Sequence, residues 1–183
     1  VVLQVLDGVA AALDHGLHVM VLLADSTAHA WVQQRLESRV KAGPARDLVR
    51  YRVAARAHEV AEAFARCNPG PAINRTLTIN GPEWMRLTPQ QVFLLQRAFN
   101  DCTAIALSPL PGGRSAATML VQATLSKSLA GPHPMPFFAK IDRPTQIVTE
   151  RQCYERYADS HIGWHLRPNL QPGRCLVGTE LGI

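Results

Sequence analysis

The residues with chemical potential are a lysine inside an apolar strand, glutamates on the helix that follows, and a double glycine upstream. Lys140 is flanked by Phe137, Phe138, Ala139 and Ile141, so its amine must either snorkel to water or meet a carboxylate. Strand alternation puts Phe138 and Lys140 on one face and Phe137, Ala139 and Ile141 on the other. From Arg143, entered through Pro144, to about Ser160 the spacing is helical, with Ile147, Glu150, Tyr154 and Tyr157 on one face. Glu150 therefore falls in the stripe expected to pack on the sheet, and Glu155 is a second candidate. An inward lysine and an inward glutamate would each neutralise a charge that the other could not bury alone.

Gly112-Gly113-Arg114-Ser115 sits between two strand-like runs, Ile105–Leu107 and Ala117–Ala123. Two readings stay open: an ordinary type I′ or II′ hairpin turn, or a loop whose backbone comes close to phosphate oxygens, an approach that a Cβ would obstruct. If Phe137, Ala139 and Ile141 face the core, Lys140 looks out over the side of the sheet that this turn overhangs. An amine placed there could meet phosphate.

These residues resemble the small N-terminal lobe of the protein-kinase-like fold, in the divergent form found in aminoglycoside phosphotransferases. The resemblance implies a glycine-rich hairpin over the nucleotide phosphates, a third-strand lysine on the α/β-phosphates and a helix glutamate anchoring that lysine. On this sequence the loop would be Gly112, Gly113, Arg114 and Ser115, the lysine Lys140 and its partner Glu150, with Cys175–Leu181 approaching the adenine-contacting hinge. Gly112–Ala117, Pro136–Asp142 and Tyr154–Ala158 are more narrowly similar to ternary-complex-associated domains of bacterial conflict and signalling systems. ATP and Mg are implied for a longer parent protein, with neither expected to bind tightly to this chain alone; no separate metal site is expected. The loop reads Gly-Gly-x-Ser rather than Gly-x-Gly-x-x-Gly. No His-Arg-Asp or Asp-Phe-Gly occurs, which matches a lobe truncated before its partner.

The likeness covers about residues 103–183; what precedes it reads as an α/β module over 1–71 and a connecting strand-turn-helix segment over 72–102. Val2, Val5, Leu6, Val9, Ala12 and Leu13 have helical spacing. Leu17–Ala24 is a continuous apolar run of the kind found in parallel strands covered on both faces. Asp25-Ser26-Thr27 caps a helix through about Lys41, Leu48–Val53 is a second strand, and Ala54–Cys67 is a further helix ended by Asn68-Pro-Gly-Pro71. Leu77–Asn80 alternates as a strand, and Thr88-Pro89 opens a helix through Phe99. The fold class is thus an α/β N-terminal module followed by an α+β kinase-like lobe, an antiparallel sheet plus one helix, with Arg174–Gly178 as a fourth strand.

The chain has 183 residues, 47% of them apolar, and a formal charge of +5. That suffices for one large or two small domains and excludes a disordered chain. No apolar run approaches the roughly 18 residues that cross a bilayer, so a soluble, cytoplasmic protein is expected, with no membrane partner. The arginines between Arg35 and Arg56 are interleaved with Glu37 and Asp47, as on a solvated helix face, so nucleic acid is not an expected partner. The strand, Trp84 turn and capped helix of 77–99 leave a winged-helix regulator as a weak alternative. The four cysteines lack Cys-x-x-Cys spacing and read as buried free thiols. His15 and His18 alone approach ligand spacing. Trp31 and Trp84 read as core or interface residues, and His161, Trp164 and His165 as packing between helix and strand.

Beginning Val1-Val2 and stopping after Gly178–Ile183, the chain reads as a piece of a longer signalling or conflict-system protein. Its expected partners are other proteins of a signalling complex. A non-catalytic scaffold is the main alternative to a phosphotransferase.

Overall fold

The computed structural model describes residues 2–14, 17–40, 48–53, 70–111, 117–127, 131–178 and 180–183. The protein is α/β with two sheets, and the chain divides into two units, Val1–Ile73 and Asn74–Ile183.

In the first unit, α1 (Val2–Asp14) precedes β1 (Val19–Leu23), α2 (Ala28–Glu37) and β2 (Val49–Val53). β1 and β2 pair in parallel, Val19 opposite Val49. Leu6, Leu23 and Val32 form the core, with Val21, Ala28 and Tyr51 packed on it. The buried residues of α1 are Leu6, Ala10 and Leu13, whereas Val5 is exposed. Leu22 is exposed too, so among the described residues β1 is not covered on both faces. Asp25 accepts the N–H groups of Thr27 and Ala28 at 2.8 and 3.1 Å, satisfying donors that the first turn of α2 leaves free. The helix expected over 54–67, Cys67 and His15 lie outside the described residues.

The second unit is built on a mixed sheet in the order β3 (Thr78–Asn80), β4 (Cys102–Pro109), β5 (Ala117–Leu125), β6 (Phe137–Ile141). β4, β5 and β6 form an antiparallel meander, while β3 runs parallel to β4 with Ile79 opposite Ile105. The segment 72–102 is therefore no mere connector: β3 extends the sheet, and α3 (Pro89–Ala98) supplies much of its core. Thr88 and Gln91 cap α3 reciprocally, the Thr88 hydroxyl accepting from Gln91 N–H and the Gln91 side chain accepting from Thr88 N–H, with Pro89 in the first turn.

α3 buries Phe93, Leu94, Leu95 and Ala98, and also Gln90 and Arg97. Its core partners are Ile105 and Leu107 of β4, Met119, Val121 and Ala123 of β5, and Ala139 and Ile141 of β6. With one strand face committed to α3, the alternation leaves Ala104, Ala106, Thr118, Leu120, Gln122, Phe138 and Lys140 on the other. So tightly held a helix leaves little of α3 to enter a DNA groove.

α4 (Pro144–Cys153) follows β6 directly and continues as a π-helical turn over Tyr154–Asp159. Of the stripe expected to pack on the sheet, Ile147 is buried while Glu150 and Tyr157 are exposed. The expected strand at Arg174–Gly178 is instead a 3₁₀ turn over Pro172–Arg174 followed by isolated bridges, Val177 to Gly182 and Asp142 to Gly182. Pro172 fixes the turn. Arg174 is drawn inward over the edge-to-face pair Phe99 and Phe137, 4.9 Å from each ring, with both guanidinium ends on the Asp101 carboxylate at 2.8 Å.

Candidate functional site

Lys140 occupies the fourth position of β6, between Ala139 and Ile141, which are buried against α3. The same alternation that buries them turns Lys140 to the opposite face beside Thr118, its neighbour across the β5–β6 ladder. Its ammonium is ion-paired with Glu150 of α4 and hydrogen-bonded to that residue's Oε1. The lysine side chain is 25% and the glutamate 50% exposed, so the pair is open to water rather than in the core. Glu155, the other carboxylate considered from sequence, binds Arg151 at 2.7 Å instead. The Arg151–Glu155 spacing is that of a helix-surface pair.

A third charge was not anticipated. Asp142 lies two residues beyond Lys140 on the same face, is 5% exposed, and has Oδ2 3.7 Å from the Lys140 ammonium. Its Oδ1 accepts the Arg143 N–H at 2.7 Å. The parity of Lys140 and Asp142 was visible in Phe-Phe-Ala-Lys-Ile-Asp; the burial of Asp142 depends on a distant segment, since its backbone exchanges hydrogen bonds with Gly182 at 2.8 and 3.2 Å.

Gly112, Gly113, Arg114 and Ser115 lie outside the described residues. On either side of them β4 and β5 are antiparallel neighbours, Pro109 opposite Met119, and Leu110 N–H donates to Thr118 O at 2.9 Å. Thr118 thus lies next to both Leu110, at the root of the glycine segment, and Lys140.

A groove of about 310 Å³ is lined by Trp84, Arg86, Leu87, Gln91, Leu110 and Met119, among others. The lining also includes Ala117 and Thr118, so the groove reaches the β5 residue that faces Lys140 across the ladder, although Lys140 itself is not part of it.

Among the described cysteines, Cys102 is buried, Cys175 partly so and Cys153 exposed, and all three are free. The reading of four buried thiols therefore fails at Cys153, which sits at the solvent-facing end of α4. Burial and the adjacent Asp101 carboxylate push the Cys102 thiol up to about 11. Trp31, Trp84 and Trp164 are exposed, as are His161 and His165, so none is a core residue. Among the described residues no cluster of three His, Cys, Asp or Glu side chains is placed to hold a metal ion, and no helix is long and apolar enough to cross a membrane.

No family model, curated protein or solved structure matches the chain.

Proposed function

We propose that the second unit is the nucleotide-phosphate-holding lobe of a kinase-like phosphotransferase, part of a bacterial signalling or conflict-system protein. The observation that carries this reading is the ion pair between Lys140 on the third strand of an antiparallel meander and Glu150 on the helix that follows it. Strand order, lysine position and helix glutamate together are what the resemblance implies, and they are more specific jointly than any one alone.

In this reading the chain's residues orient and neutralise. Glu150 aims the Lys140 ammonium along the open face, where it would bind the α/β-phosphates of ATP as a fixed positive charge. The resemblance implies that Gly112-Gly113, which lie outside the described residues, would cover those phosphates. The ammonium has three donors and remains partly exposed, which is compatible with a phosphate ligand. Mg has no comparable support among the described residues, and no step is assigned to it. Phosphate transfer also needs a base and a metal-binding carboxylate, which the resemblance places in a second lobe.

A scaffold role draws on a different observation. Tyr157, Ile162, Trp164 and Leu166 are all exposed within a short stretch after α4, and exposed apolar groups in series suit a protein partner. The two readings are separated by following backbone amide shifts while ATP is added. The phosphotransferase reading expects the shifts to centre on Thr118 and Lys140. Shifts at Trp84, Arg86 and Leu87 that leave Lys140 unmoved, or none at millimolar ATP, would contradict it.

A further inference from the structure

We infer that Asp142 and Gly182 form a clamp that positions the Lys140–Glu150 pair, so that displacement of the chain around 176–183 is felt at the amine. The inference rests on the reading of Lys140 as a phosphate-holding group and deepens it by naming what regulates that group.

Asp142 and Lys140 share a strand face, and the aspartate is almost wholly buried. A buried carboxylate must be compensated. Here the compensation is the Arg143 N–H on one oxygen and the Lys140 charge, 3.7 Å from the other. Lys140 is thereby held from two sides, by Glu150 on α4 and by Asp142 on its own strand.

Gly182 joins the two sides. Its N–H donates to Asp142 O at 2.8 Å and its carbonyl accepts the Asp142 N–H at 3.2 Å, which fixes the end of the strand that carries Lys140. A Cβ at position 182 would lie 3.1 Å from Cγ1 and 3.2 Å from Cβ of Ile147, and 3.0 Å from the Leu176 carbonyl oxygen. Ile147 is the buried residue of α4, and Glu150 stands one turn beyond it. The same glycine therefore touches the strand end beside one partner of the ion pair and the helix that carries the other. Leu176 and Ile183 exchange backbone hydrogen bonds at 2.8 and 2.9 Å, and Gly178 N–H donates to Leu181 O at 2.9 Å, so residues 176–178 and 181–183 move together. A methyl group at 182 would require Ile147 or the Leu176 carbonyl to shift by a few tenths of an ångström, and a shift taken up by Ile147 reaches the helix that carries Glu150.

The test is the ¹⁵N–¹H signal of the Lys140 ammonium, recorded on the whole 183-residue chain without nucleotide. Asp142→Asn and Gly182→Ala should each speed exchange of its protons with water about two- to fivefold, the range set by the free energies of partly exposed ion pairs. In a Glu150→Gln background Gly182→Ala should have a smaller effect, because the part that passes through α4 to Glu150 is gone and only the part through Asp142 remains. An ammonium signal unmoved by either substitution overturns the clamp, as does a Gly182→Ala effect of equal size with and without Glu150, which is what a merely structural glycine would give. If Asp142→Asn does not fold, the Gly182→Ala comparison in the two backgrounds decides alone. Because no nucleotide is present, these outcomes judge the clamp, whereas an ATP titration that leaves Lys140 unmoved in the wild-type chain would overturn the phosphate reading instead.

Discussion

Lys140 on β6 and Glu150 on α4 close an ion pair over the open face of the second sheet, with the buried Asp142 on the lysine's other side. The three charges are unequal in consequence. Glu150 is half exposed, so losing it costs little, whereas losing the lysine strands a buried carboxylate. Glu150→Gln should lower stability by less than about 1 kcal/mol, and Lys140→Met by about 1–3 kcal/mol, less than for a fully buried pair because the amine keeps some water. Urea unfolding of the two variants checks the order.

Arg174 and Asp101 make the second unit acid-sensitive. Burial raises the Asp101 carboxyl, but hydrogen bonds and charge from Arg174 outweigh it and hold the group below its ordinary value. A carboxyl depressed in the folded state contributes stability above its unfolded value, near about 3.9, and loses it as pH falls through the lower folded value. Asp101→Asn should therefore flatten the decline in stability below about pH 4. Arg174→Ala should cost about 2 kcal/mol at neutral pH, since it removes a two-pronged charged contact and the packing of the guanidinium on the Phe99 and Phe137 rings. Thermal melts across pH report both.

α3 separates local from tertiary stabilisation. Thr88→Ala removes one half of the reciprocal cap and should cost about 1 kcal/mol. Leu94→Ala opens a cavity at a fully buried position and should cost about 2–5 kcal/mol. Equal losses in the two variants would mean that α3 is not the core helix described.

Thiol chemistry should follow exposure. Cys153 is exposed, Cys175 is raised first by burial, with Glu155 adding to and Arg151 opposing the shift, and Cys102 is buried and pushed up to about 11. Only the thiolate reacts. Of these three, iodoacetamide near pH 8 should modify Cys153 first and Cys102 last, as read by peptide mass mapping; early modification of Cys102 would contradict its burial.

Local chemistry made part of this fold legible in the sequence. Thr88, Pro89 and Gln91 announce α3 within a single turn. The alternation Phe137, Ala139, Ile141 against Phe138, Lys140 sorted β6 correctly, because a period of two is decided by adjacent residues. What the sequence hid is non-local. The pairing of β3 with β4 joins segments separated by the whole of α3, and nothing in Leu77–Asn80 names its partner. Arg174-Cys-Leu-Val-Gly178 has strand composition, but the Arg174 side chain is held by Asp101, Phe99 and Phe137, far upstream. The burial of Asp142 likewise waits on Gly182. At the candidate site, Lys140 and Glu150 were readable as a pair from charge and periodicity, with Glu155 as a second candidate; that Arg151 takes Glu155 was not read from the sequence.

The central claim is that the Lys140 amine meets nucleotide phosphate, and an acyl-phosphate derivative of ATP, which acylates an amine lying against its phosphates, tests it most directly. The lysines of the chain are Lys41, Lys127 and Lys140, and Lys127 is exposed, so peptide mapping reads the result without ambiguity. The account predicts modification concentrated on Lys140, suppressed by excess MgATP and diminished in Glu150→Gln. Modification that favours Lys127, or that MgATP leaves unchanged, would contradict it and leave the second unit an interaction module.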